Sequence, residues 1–159
     1  MKLITEEEAL HKVAAYCSAA EHCKAEVSDK LLKWGIAYDA VDRIIDRLVA
    51  ERYIDDERYC RSYINDKFRF AKWGKVKIAQ GLYMKKIPSD VAWRHLNEID
   101  QDAYLDVLRG LIAGKRKSVQ ADNDYELNAK LMRFALSRGF EMKDIKLCIC
   151  FSDEEEYVD

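Results

Sequence analysis

The chain has 159 residues, enough for one compact domain or a short array of small modules, and 49% of them are apolar, which excludes global disorder. Its formal charge of −2, from 27 Lys and Arg against 29 Asp and Glu, points by itself to no class of partner. A single Pro and six Gly leave little room for the many turns of a β fold.

Apolar residues recur at helical spacing throughout. Leu10, Val13, Ala14 and Cys17 share one face, as do Val41, Ile44, Ile45, Leu48 and Val49, and later Tyr104, Leu105, Leu108, Leu111 and Ile112. In chain order the predicted helices span 5–20, 23–34, 38–52, 56–72, 75–86, 88–98, 101–115, 123–138 and 141–150. Thr5 with Glu8, and Asn123 with Glu126, have the spacing of a capping box. Gly35 and Gly139 stand where a helix ends in the left-handed conformation that glycine adopts cheaply. Pro88 suits a first helical turn, where its missing N–H costs nothing.

The nine helices fall into three similar groups. A shift of 51 residues sets Leu31 on Leu82, Ile36 on Ile87, Asp39 on Asp90 and Ile45 on Leu96. A shift of 104 sets Leu32 on Leu136, Gly35 on Gly139, Ile36 on Phe140 and Val41 on Ile145. The expected fold is therefore all-α, with three tandem three-helix repeats over 5–54, 55–99 and 100–151 and an acidic tail over 152–159. Stacked repeats of this kind predict an elongated, curved body that offers a long surface and no deep pocket.

Chemistry is scarce. His95 aligns with the core position Ile44, His11 lies beside Glu7 and Glu8, and His22 with Cys17 and Cys23 lacks the further donors of a tetrahedral metal site. The five cysteines at 17, 23, 60, 148 and 150 form no C-x-x-C pair and read as reduced thiols in a cytoplasmic protein. Asp55 and Asp56 suit a helix start. No phosphate loop, nucleophile elbow or zinc-protease motif occurs, so neither catalysis, nor a cofactor, nor a metal is expected. No window reaches the roughly 18 continuous apolar residues of a membrane helix, and the start MKLITEEEALHK lacks a secretory pattern.

One segment breaks this pattern. Residues 67–86, KFRFAKWGKVKIAQGLYMKK, hold seven Lys or Arg, four aromatic residues and no carboxylate. Like charges at this density repel, and helices ordinarily intersperse acids to relieve them. Lys67, Arg69, Lys72, Trp73, Lys75, Lys77, Lys85 and Lys86 are therefore the candidate contacts for an acidic partner or for phosphate, with a second knot at Lys115, Arg116 and Lys117. By helical spacing Lys77 is expected opposite the apolar face of its helix, whereas Lys86 lies in line with that face or beyond the helix end.

The run 41–87, VDRIIDRLVAERYIDDERYCRSYINDKFRFAKWGKVKIAQGLYMKKI, resembles the middle of the RecX family, bacterial modulators of the RecA recombinase. The likeness rests on Tyr53-Ile54-Asp55-Asp56, on Tyr59 and Tyr63, on Gly74-Lys75-Val76-Lys77-Ile78 and on Lys86-Ile87, with CKAEVSDKLLKWGI upstream. Lys86 stands where the family has glycine, Cys23 where it has a capping serine, and Gly74-Lys75 where it has Gly-Pro. The resemblance implies a monomer that lodges along the RecA–DNA filament, restrains ATP hydrolysis and strand exchange, and acts in homologous recombination, DNA repair and the SOS response. DNA would be contacted directly or within the filament. The alternative is a helical-repeat protein that binds naked DNA non-specifically through its phosphates.

Overall fold

The computed structural model describes residues 3–149, so Cys150 and the acidic tail at 152–159 lie outside the described residues. Among the described residues the chain forms helices and no strands: α1 (Glu6–Ala19), α2 (Lys24–Lys33), α3 (Tyr38–Ala50), α4 (Asp56–Arg69), α5 (Lys75–Met84), α6 (Ser89–Leu96), α7 (Gln101–Arg116), α8 (Asp124–Ser137) and α9 (Met142–Cys148). No helix among them is long and apolar enough to cross a membrane.

The helix ends follow local chemistry. Thr5 Oγ1 accepts the Glu8 amide at 3.1 Å, and Asn123 Oδ1 accepts the Glu126 amide at 2.8 Å. Cys23, a poor capping residue, is helped by the Glu26 carboxylate, which accepts its amide at 3.3 Å. Pro88 sits one residue ahead of α6, where its carbonyl accepts the Ala92 amide. The largest departure is α4, which stops at Arg69 instead of running to 72. The chain turns there because Lys72 adopts φ 58°, and the Trp73 amide folds back onto the Lys67 carbonyl at 2.9 Å.

The repeat is written in hydrogen bonds as well as in sequence. At the end of α2, Gly35 donates to the Leu32 carbonyl and Ile36 to that of Leu31. At the end of α5, Lys86 donates to Tyr83 and Ile87 to Leu82. At the end of α8, Gly139 donates to Leu136 and Phe140 to Ala135. The residue in the turn has φ 83°, 62° and 95° respectively, and the apolar residue after it is buried each time. These are helix closures in which a left-handed residue lets the chain reverse and drop its next side chain into the core. Lys86 does so without glycine's freedom and projects past the end of α5, exposed.

The described residues divide into two compact units, one comprising 3–63 together with Leu82–Ala92, the other Ile64–Gly81 together with 93–149. In the first, Val13, Val27, Leu31, Ile44, Leu48 and Ile54 form the core of α1, α2 and α3. Half-buried Glu26 ties this unit together: it accepts from Lys85 Nζ at 3.2 Å and from the Cys23 amide, and lies 3.3 Å from His22 Nδ1. His22 in turn stacks on Tyr16 at 3.7 Å between ring centroids. Burial pushes the Cys23 thiol up to about 11, so it stays protonated. Cys17, Cys60 and Cys148 likewise form no disulfide among the described residues.

In the second unit, Tyr104, Leu108, Leu131, Phe140 and Ile145 form the core of α7, α8 and α9. Tyr104 stacks with Phe68 at 5.8 Å and tilts against Phe140 at 5.1 Å. His95 is buried, as its alignment with Ile44 predicts.

Replacing Lys86 by Gly removes the left-handed strain and is expected to raise stability by about 1 kcal/mol, read as a higher urea midpoint at unchanged m-value. Burial opposes the Glu26 charge, but the Lys85 ammonium and the Cys23 amide outweigh it and hold the carboxyl below its ordinary value. A lowered carboxyl stabilises the fold above its unfolded pKa and loses that contribution as pH falls through the folded one. Glu26→Gln is therefore expected to destabilise the protein at neutral pH and to flatten the decline of melting temperature below about pH 4.5.

Candidate nucleic-acid and partner interface

The first requirement for a basic surface is a rigid mount, and the turn between α4 and α5 has one. Gly74 donates to the Arg138 carbonyl at 2.7 Å, Val76 donates to the Gly139 carbonyl at 3.0 Å, and Lys75 donates to the Tyr104 hydroxyl at 2.9 Å. The free amides at the start of α5 thus meet the free carbonyls at the end of α8, positive end to negative end. Such closeness needs two glycines. A Cβ on Gly74 would land on the Gly139 carbonyl, and one on Gly139 would land on the amide and Cβ of Lys77.

This contact revises the expectation for Lys77. The side of α5 opposite its apolar face is covered by the α8–α9 turn, so Lys77 is half-buried at its stem. Its ammonium reaches out over the Trp73 ring, 4.6 Å from the centroid, and Lys67 lies over the same ring at 4.8 Å. Lys75 holds its ammonium 4.7 Å from the centre of Tyr104. Aromatic faces attract these cations and fix them without neutralising them. Arg69 and Lys72 are exposed on the same turn. Arg69, Lys72, Lys75 and Lys77 form no ion pair among the described residues.

The second knot divides. Lys115 places its ammonium 5.2 Å from the Phe134 centroid, whereas Arg116 and Lys117 are exposed at the end of α7. The same Phe134 ring carries the Arg138 guanidinium at 5.1 Å. Arg138 is the residue whose carbonyl receives the Gly74 amide, so one backbone bond links the two basic groups. Sequence reasoning passed over Arg138; its place in the SRGF turn, one of the three helix closures, was the available signal.

Lys85 and Lys86 belong to the other unit. Lys85 pairs with Glu26, so the acid missing from its own segment comes from α2. Lys86 occupies the strained closure of α5. Among the described residues no group of three His, Cys, Asp or Glu side chains is placed to hold a metal ion. What the turn can do is electrostatic: it holds several cations, spaced by rings, against phosphate or carboxylate.

Gly74→Ala is expected to cost at least about 2 kcal/mol, because backbone must move on both sides of the contact, and calorimetry of the purified variant checks it.

Three family models match the chain in order: the first three-helix domain of RecX over residues 9–48, the second over 55–92 and the third over 102–149. The chain is 32% identical over 123 residues to the regulatory protein RecX of Clostridium tetani, covering 76% of this chain and 56% of that protein. It is 30% identical over 141 residues to the regulatory protein RecX of Herminiimonas arsenicoxydans, covering 89% and 90%. The match to RecX of Bacillus mycoides spans only 50% of that protein. Among solved structures, RecX from Lactobacillus salivarius superposes with a TM-score of 0.82 at 22% identity, covering 90% of this chain and 93% of that one, a likeness of fold. With three all-α repeats, this chain belongs to the RecX family, a family of regulatory proteins and not of enzymes.

Proposed function

We propose that this protein binds the nucleoprotein filament of the RecA recombinase in the cytoplasm, as a monomer, and restrains the filament's ATPase and strand exchange during recombinational DNA repair. Membership of the RecX family supports the regulatory part of this reading. The observation that carries the rest is the α4–α5 turn, whose Arg69, Lys72, Lys75 and Lys77 have no carboxylate partner among the described residues. Cations left uncompensated on a rigid mount cost self-repulsion, and an acidic or phosphate-bearing partner relieves it. Lys67 and Trp73 complete that surface, and Lys115, Arg116, Lys117 and Arg138 extend it along α7 and α8.

The test is the ATPase of DNA-bound RecA titrated with this protein. Wild type is expected to lower the rate. A double reversal, Arg69→Glu with Lys72→Glu, touches only exposed groups and should leave melting within about 0.5 kcal/mol of wild type. The same variant should need about tenfold more protein for half-inhibition. An unchanged ATPase at saturating wild-type protein defeats the proposal. Tight binding to bare duplex, with log affinity falling on log salt at a slope of roughly −5, would instead favour a non-specific phosphate binder.

A further inference from the structure

Phe70 is 78% exposed, although it follows directly on a helix that packs Phe68, two residues earlier, partly buried against the core. Phe68 stacks on the buried Tyr104, and a step of two residues carries a helical side chain to nearly the opposite side. The backbone around Phe70 is pinned: its own amide donates to the Asp66 carbonyl at 3.0 Å, and the Trp73 amide closes on Lys67 at 2.9 Å. Phe70 makes no ring contact among the described residues. Its chain neighbours Arg69 and Lys72 are both exposed, and both lie within about 7 Å of backbone.

We infer that Phe70 is a stacking platform for a nucleobase of a single-stranded polynucleotide, with Arg69 and Lys72 meeting the flanking phosphates. This rests on the functional reading above and names the ligand chemistry of that surface. A ring meant for an apolar pocket on a protein works best inside a rim that excludes water. Here the rim is cationic, and burying it against protein would strip several charges of solvent. A nucleotide suits both features at once, because every base carries a phosphate beside it and offers a π face to any aromatic ring. Duplex DNA does not fit, since its base faces are already stacked on one another.

The experiment uses the full chain and fluorescence anisotropy with three probes: an oligothymidylate of about 20 nucleotides, a strand of equal length made of abasic sites, and a duplex of equal length. Phe70→Ala is expected to bind oligothymidylate roughly five- to hundredfold more weakly, with its salt slope unchanged. Phe70→Trp should restore affinity and show quenching of the new indole on binding. Both variants should match wild type on the abasic strand and on duplex. Equal binding of oligothymidylate by wild type and Phe70→Ala overturns the inference, as does an equal loss on the abasic strand. If Phe70→Ala binds oligothymidylate normally but no longer inhibits filament ATPase, the ring contacts protein: the inference fails and the filament reading stands. If wild type itself leaves that ATPase unchanged, the filament reading fails whatever the oligonucleotides show.

Discussion

A left-handed residue followed by a buried apolar one is the constraint on which this molecule is built. A helix leaves its last carbonyls without partners, and the chain must reverse quickly if the next helix is to cover the same core. Gly35-Ile36, Lys86-Ile87 and Gly139-Phe140 solve both problems with one geometry, each returning two amides to the helix just ended. Because the apolar residue is pulled inward at the moment the chain turns, the closure also sets where the following helix begins. Three copies of that device make the three repeats structurally alike while their surfaces differ freely.

The third closure does a second task. Its carbonyls at Arg138 and Gly139 face outward from the end of α8, and Gly74 and Val76 bring the first amides of α5 to them. Ordinarily such amides attract anions, but here they are used up by protein. The charge of the site therefore resides in side chains. Trp73 and Tyr104 hold the Lys77 and Lys75 ammonium groups by their faces, which keeps these cations in place and leaves them positive. An arrangement of carboxylates at the same positions would have fixed them equally well and cancelled the field.

Lys85 shows that alternative outcome. It belongs to the same basic run in sequence, yet it meets Glu26 at 3.2 Å, beside Cys23 and His22. That lysine supports the first unit, and its charge is balanced locally. Segment composition alone makes Lys75 and Lys85 look equivalent; their partners separate them.

Helix positions, the repeat and its closures were legible because they depend on interactions between residues a few positions apart. The 3.6-residue period, capping by Thr5 and Asn123 and the glycines at 35 and 139 are all of that kind. Even the burial of His95 followed from its register with Ile44. The early stop of α4 at Arg69 was not legible, since neither Ala71 nor Lys72 is a residue that forbids another helical turn, and the stop comes from the left-handed turn at Lys72 with its closing bond from Trp73. Nor was the covering of Lys77, which arises from Gly139, 62 positions away. The chain thus wrote its own helices and their repetition, because local hydrogen bonds and periodicity need no distant partner. Which of its many lysines stay uncompensated was left to packing, because a charge is cancelled by whatever lies next to it in space, however far off it lies along the backbone.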